Sequence, residues 1–246
     1  MMKGNFRYDE NGVPFISKKE IESLALKVCR WFDEGTSETP TRVDILRIYQ
    51  KLADRKELCF AYEDLNPSQK EKRILGKFCY GTPPRIILDK THEESESSMR
   101  VRFTLAHELG HFVLHRHRKI KNTEELIDTA EDLPRYFITP KKSRNWVEWQ
   151  AKYFAGALLI PPAPVEKELK IIQKDMEIKR NIGEIYLDDS ASNKRDFLGT
   201  LAKLAIFFNV SQTCMEIRLR QLNLLIDKRK TSGEFALSCD INKLFS

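Results

Sequence analysis

The sequence predicts an α+β fold, mainly helical, with a small antiparallel sheet ahead of a central helix and a closing helical segment. Three observations carry this. Apolar residues recur at three- and four-residue steps in several separate stretches, the period of a half-buried helix. Leu58–Tyr62, Arg73–Tyr80 and Arg85–Asp89 are short and β-prone, and the last two flank Gly81-Thr82-Pro83-Pro84, which reads as a hairpin turn. The composition, 41% hydrophobic and 32% charged over 246 residues, is that of a globular chain able to bury a sizeable core.

Taken in order, Ser17 and Glu20 form a capping-box pair, followed by the apolar face Ile21, Leu24, Ala25, Val28 and Phe32, with the helix expected to end near Gly35. Thr39-Pro40-Thr41 is read as the opening of a second helix that packs through Val43, Leu46, Ile48 and Leu52. Among the three strands, Ile86–Asp89 is the candidate edge that an extended peptide could join by main-chain hydrogen bonds, with the equal alternative that it only covers the central helix. The central helix covers Arg102–His117, with Phe103, Ala106, Leu109 and Val113 on its apolar face. Gly110 inside it costs about 1 kcal/mol relative to Ala, which close approach of another backbone would explain. Residues 118–145 are charged, with a short helix expected over 124–132 and a possible role as a rim of the site. A helix capped by Asn145 runs from Trp146 to Ile160 and stops at Pro161-Pro162, and a further helix covers 165–178. Residues 183–195 read as a loose polar insertion, and Phe197–Asn209 and Gln212–Leu225 as a closing helical pair, with frayed ends at 1–8 and 231–246.

Composition excludes several classes. No uninterrupted apolar run approaches the ~18 residues of a membrane span, and the amino terminus lacks the apolar core of a signal peptide. The five cysteines are scattered, with no C-x-x-C, which fits reduced thiols in a cytoplasmic protein and argues against a disulfide framework. The net charge of +6 is modest, and the basic clusters at 116–121, 141–144 and 228–230 are most simply solvated faces, so direct DNA binding is not expected from charge.

The chemistry lies in His107-Glu108-Leu109-Gly110-His111, an H-E-x-x-H pentad. Residues four apart on a helix share a face, so both imidazoles can aim at one metal ion, and Glu108 projects beside it where it can activate a water. Chance would place such a pentad in this chain with a probability on the order of 1%, which sets coincidence aside. A catalytic zinc, Zn2+, needs a third protein ligand. His115 shares the side of the helix with His107, but its Cα is about 12 Å further along the axis by the helical rise, so it is read as lining or supporting the site. His117 and His92 stand in polar surroundings and are read as solvated. Glu148, on the helix WVEWQAKYFAGALLIP, can reach a metal held by a neighbouring helix. On spacing alone it remains open against the ordinary alternative of a surface glutamate near a helix start.

RFTLAHELGHFVLH followed by EWQAKYFAGALLIP resembles the ImmA/IrrE family of metallo-endopeptidases, whose pattern is R-F-T-x-A-H-E-x-G-H and then E-x-x-A-N-x-F-A-x-x-L-L-M-P. The closing LAIFFNVSQTCMEIRLRQLNLL is similar to that family's end segment. The likeness runs roughly from Pro84 to Leu225. It implies a zincin-like metallopeptidase core with zinc held by His107, His111 and Glu148, and Glu108 as general base. It also implies cleavage of a cytosolic protein, characteristically a helix-turn-helix repressor controlling mobile-element or stress genes. One position departs from the pattern: Lys152 stands where the family has Asn, one turn after Glu148, where it could pair with that carboxylate or snorkel outward. His115 and Tyr153 are conceivable oxyanion donors.

The resulting organisation is a metallopeptidase domain over 1–175 with N-terminal helices and small sheet, a flexible insertion over 176–196, and a helical segment over 197–246 packed on the core. Two rival readings are a DNA-binding regulator, because the closing helices flank an Asn-Val-Ser turn as in a helix-turn-helix, and a toxin-antitoxin partner whose zinc site is weak.

Overall fold

The computed structural model describes residues 6–10, 12–32, 42–67, 73–95, 98–116, 125–129 and 144–229. Gly35, Thr39–Thr41, His117 and Cys239 lie outside these residues, as do 1–5 and 231–246 of the ends expected to fray, and 118–124 and 130–143. The described residues form two compact units, 6–32 with 43–159 and 160–229 with Arg42, and the helix after Pro161 lies in the second. The fold is α+β and mainly helical.

In the first unit, α1 (Lys18–Phe32) starts on the capping box the sequence announced. Ser17 Oγ accepts from the Glu20 amide at 3.3 Å, while the Glu20 carboxylate accepts from the Ser17 amide at 2.7 Å. Its inward face is Ile21, Leu24, Ala25 and Val28, all buried. In α2 (Ile45–Asp54) the cap is Asp44, whose carboxylate accepts from the Arg47 amide. The buried face of α2 is Ile45, Ile48, Tyr49 and Leu52.

Strands β1 (Cys59–Glu63), β2 (Ile74–Cys79), β3 (Arg85–Asp89) and β4 (Glu125–Thr129) form one sheet in the order β1-β3-β2-β4. β2 and β3 are the antiparallel hairpin read from the sequence. β1, however, pairs parallel to β3, making the sheet mixed where an antiparallel one was expected. The cause is the connection after β1. Leu65 N and Asn66 Nδ2 both donate to the buried Asp89 carboxylate at the end of β3. Asn66 also exchanges two hydrogen bonds with the backbone of Ile74. The chain is thereby carried past the end of β3 before β2 begins. Two further expectations fall with this topology. Ile86–Asp89 is an interior strand, paired on both sides, and cannot receive an added peptide strand. Residues 125–129 form strand β4, not a helix, because pairing with the open side of β2 outweighs local helical preference.

The 3-10 turn at Lys90–Ser95 leads to α3 (Met99–His115), capped by Ser98 Oγ accepting from Val101 N. Every residue from Val101 to Phe112 is buried, so α3 is enclosed on all sides, between β2 and α4 (Arg144–Leu159). α4 packs in turn on α1, where Cys29 Sγ lies 3.7 Å from the Leu158 carbonyl.

The second unit holds α5 (Pro162–Asp175), the parallel pair β5 (Ile185–Leu187) and β6 (Leu225–Asp227), α6 (Ala191–Phe208) and α7 (Gln212–Gln221). The stretch 183–195, expected to be loose, contains β5 and the first turn of α6. Buried Gln173 organises its approach, donating to the Asn181 and Glu184 carbonyls and accepting from Gly183 N. The Asn-Val-Ser turn is a double cap: Asn209 closes α6 in the left-handed conformation at φ 51°, and Ser211 opens α7 by accepting from Cys214 N. Cys214–Leu219 of α7 are all buried, and Arg218 Nε donates to the Ile160 carbonyl at 3.0 Å.

Gly110 is where α3 and α4 meet backbone to backbone. A Cβ there would stand 2.9 Å from the Ala151 carbonyl oxygen and 3.0 Å from its Cα. Helix propensity alone would make Gly110→Ala stabilising by about 1 kcal/mol. The contact reverses the sign: the variant is expected to lose on the order of 1–3 kcal/mol, as overpacked cores do. Urea denaturation followed by circular dichroism measures it, and a gain in stability would show that the helices are not held by this approach.

Candidate metal centre

One turn of α3 and the first half of α4 supply the site. On α3, the four-residue spacing places His107 Nε2 and His111 Nε2 3.0 Å apart. Across the Gly110–Ala151 contact, Glu148 of α4 directs Oε2 to 3.3 Å from His107 Nε2 and Oε1 to 3.5 Å from His111 Nε2. The three side chains the sequence singled out for a metal are therefore brought together, and they are the group among the described residues whose ligand atoms converge as a metal site requires.

The donor set fits an ion. Four donors arranged tetrahedrally at 2.0–2.1 Å, the zinc–imidazole distance, stand about 3.3 Å from one another. The two imidazole nitrogens are 3.0 Å apart and each lies 3.3–3.5 Å from one oxygen of Glu148, Oε2 for His107 and Oε1 for His111, which is near that edge length. Both imidazoles are fully buried, whereas the Glu148 side chain keeps 23% of its surface exposed, so the cluster is enclosed on the α3 side and reachable from the α4 side. Two neutral imidazoles and one carboxylate with room for a fourth ligand is the composition of a catalytic site, not a closed structural one.

The charge states favour metal binding. Burial pushes the His111 ring down to about 4, against the opposing pull of Glu148, with the charge of Lys152 adding to the depression. For Glu148, burial alone would raise the carboxyl, but the facing His111 and His107 rings outweigh it and hold Glu148 well below its ordinary range. Near neutral pH the site thus presents a carboxylate and an uncharged His111.

Glu108, next to His107 on α3, is fully buried. A Cβ at Gly76 of β2 would lie 3.2 Å from Glu108 Oε1, so the absence of a side chain at that strand position makes room for the carboxylate. Tyr49 also senses it: burial first, and then the Glu108 charge, raise that phenol well above its usual range, while its hydroxyl donates to the Leu105 carbonyl at 2.7 Å.

The remaining sequence-selected residues take defined places. His115 lies beyond the ligand atoms, with its Nδ1 3.1 Å from His111 Nδ1 and its Nε2 2.9 Å from Gln150 Oε1. Lys152 is 1% exposed, so it does not snorkel outward; it is an interior cation close enough for His111 to feel. The Tyr153 hydroxyl donates to Glu22 Oε1 of α1 at 3.0 Å, which engages it away from the cluster. His92, read as solvated, is buried at 6% exposure and stands apart from the three ligand residues. Gly76, Tyr49 and Gln150 were not selected from the sequence. A glycine inside the β-prone run ILGKFC and a lone amide between Trp149 and Ala151 were the available signals.

Comparison with known proteins agrees with this geometry. The family model of the M78 peptidases, described as the IrrE N-terminal-like domain, matches residues 62–220. The chain belongs to that family, a family of metallopeptidases. No curated protein matches the chain.

The depressed His111 pKa sets a pH dependence for the metal-free protein. His111 is neutral when folded down to about 4 but takes up a proton near 6.5 when unfolded. Stability from this group is fully present above 6.5 and is lost progressively as pH falls toward 4, by on the order of 3 kcal/mol. Melting temperatures of chelator-treated protein across that range should fall, and should fall less in His111→Phe; an equal fall in both would contradict the assignment.

Proposed function

We propose that the chain is a zinc-dependent endopeptidase acting on a cytosolic protein, with a helix-turn-helix transcriptional repressor as its substrate. The observation that carries the reading is the convergence of His107, His111 and Glu148, whose facing donor atoms lie 3.0–3.5 Å apart, with Glu108 next to the first histidine on the same helix. Membership of a metallopeptidase family supports the reaction class. The substrate class rests on the resemblance to ImmA/IrrE proteins described above.

When bound, zinc supplies Lewis acidity, lowering the pKa of a coordinated water toward about 7 and polarising a peptide carbonyl. His107, His111 and Glu148 would hold the ion. Glu108 accepts the proton of the attacking water at its carboxylate and returns it to the departing amine. Burial of Glu108 beside Gly76 limits competing water at the carboxylate. Lys152 adds a fixed positive charge on the α4 side, suited to stabilising negative charge that develops on the substrate.

The alternative of a DNA-binding regulator draws less support. α7, which would have to read bases, has six consecutive buried residues, and Arg220 is engaged with Glu216 and Asp227.

Glu108→Gln is expected to abolish peptide hydrolysis, a loss of at least about 100-fold as for removal of a general base, while zinc content stays near one per chain. Unchanged hydrolysis would remove Glu108 from its role. The substrate is tested by incubating zinc-loaded protein with the repressor encoded beside its gene, with and without chelator. Chelator-sensitive cleavage supports the reading, and an intact repressor contradicts it.

A further inference from the structure

Behind the ligand atoms runs a chain of hydrogen bonds whose direction is set at its far end. The Pro14 carbonyl oxygen can only accept, and Gln150 Nε2 lies 2.9 Å from it. That contact fixes the amide of Gln150, which is 3% exposed, with Oε1 turned toward His115. Oε1 also can only accept, so His115 Nε2, at 2.9 Å, must carry a hydrogen. In neutral His115 this leaves Nδ1 as a bare acceptor, and the His111 Nδ1 3.1 Å away donates to it. With its hydrogen on Nδ1, a neutral His111 has a bare lone pair on Nε2, which in the absence of an ion accepts from His107 Nε2 at 3.0 Å, with the Glu148 carboxylate further off at 3.5 Å.

We propose that His115 and Gln150 are positioning residues that fix the tautomer of His111, so that Nε2 is ready to bind the metal before any ion arrives. The inference rests on the reading of His107, His111 and Glu148 as a metal centre. The relay joins three separate parts of the chain: α3 supplies both histidines, α4 the amide, and the segment before α1 the terminal carbonyl. Without the relay, neutral His111 could place its hydrogen on Nε2, and binding would then require moving that proton off a ring that is itself buried. Partners of this kind behind a ligating histidine typically change metal affinity 10–100-fold when removed.

The test begins with the metal-free wild-type protein, labelled with 15N and examined by long-range proton–nitrogen NMR of the histidine rings. The hydrogen is expected on Nε2 of His115 and on Nδ1 of His111; the opposite tautomer on either ring overturns the proposal. Zinc affinity is then measured by competition with a chromophoric chelator. His115→Phe, which breaks the relay, should weaken Zn2+ binding by about 10–100-fold. His115→Gln should restore most of it, because an amide can accept from His111 and donate to Gln150. Equal affinity of His115→Phe and wild type, or no recovery in His115→Gln, would contradict the proposal. If His115→Phe does not fold, the wild-type tautomers still decide. Correct tautomers in a wild-type protein that binds no Zn2+ would instead overturn the metal-centre reading, and the proposal with it.

Discussion

The contact of two helix backbones at Gly110 and Ala151 is the constraint on which the rest of the structure depends. Two of the three ligand residues lie on α3 and the third on α4, so the site exists only while these helices stay in register and close together. Any Cβ at position 110 would meet the backbone of the facing helix, which has no rotamer through which to yield. The glycine therefore trades local helix stability for the interhelical distance that carries Glu148 to its place. The same logic recurs where β2 meets α3, because Gly76 lets the strand approach the Glu108 carboxylate.

Enclosure sets the electrostatics. α3 is buried on every side, and burial penalises a charged imidazole, so His111 stays neutral and available as a donor. Glu148 escapes that penalty because two imidazoles face it, and it keeps its charge. Buried polar atoms in such a place need partners. Gln150 and His115 meet that need in a chain that ends on a proline carbonyl, a group with no freedom to reverse its polarity. Lys152 adds a cation to this interior where the family pattern has a neutral amide, which makes the α4 side of the site more positive than the pattern implies.

Local spacing made the centre of the fold legible. His107 and His111 share a face because helices repeat every 3.6 residues, and the Ser17–Glu20 box and the hairpin between β2 and β3 are short-range features. Glu148 was a weaker inference, because nothing local tells which helix packs against which; the motif order around it, not its spacing, singled it out. The parallel pairing of β1 with β3 depends on Asn66 and Asp89 meeting across a loop, and β4 on an open strand edge supplied from far away in sequence. Gln150 and Pro14 are 136 residues apart, so their part in the relay has no local signature at all.

The central claim is that two imidazoles of α3 and the carboxylate of α4 are the protein ligands of one tetrahedral ion. The X-ray absorption spectrum of the zinc-loaded protein addresses it most directly. Two imidazole nitrogens together with oxygen donors at about 2.0–2.1 Å are the predicted shell. A sulfur shell at about 2.3 Å, or a fit requiring only one imidazole, would contradict the account.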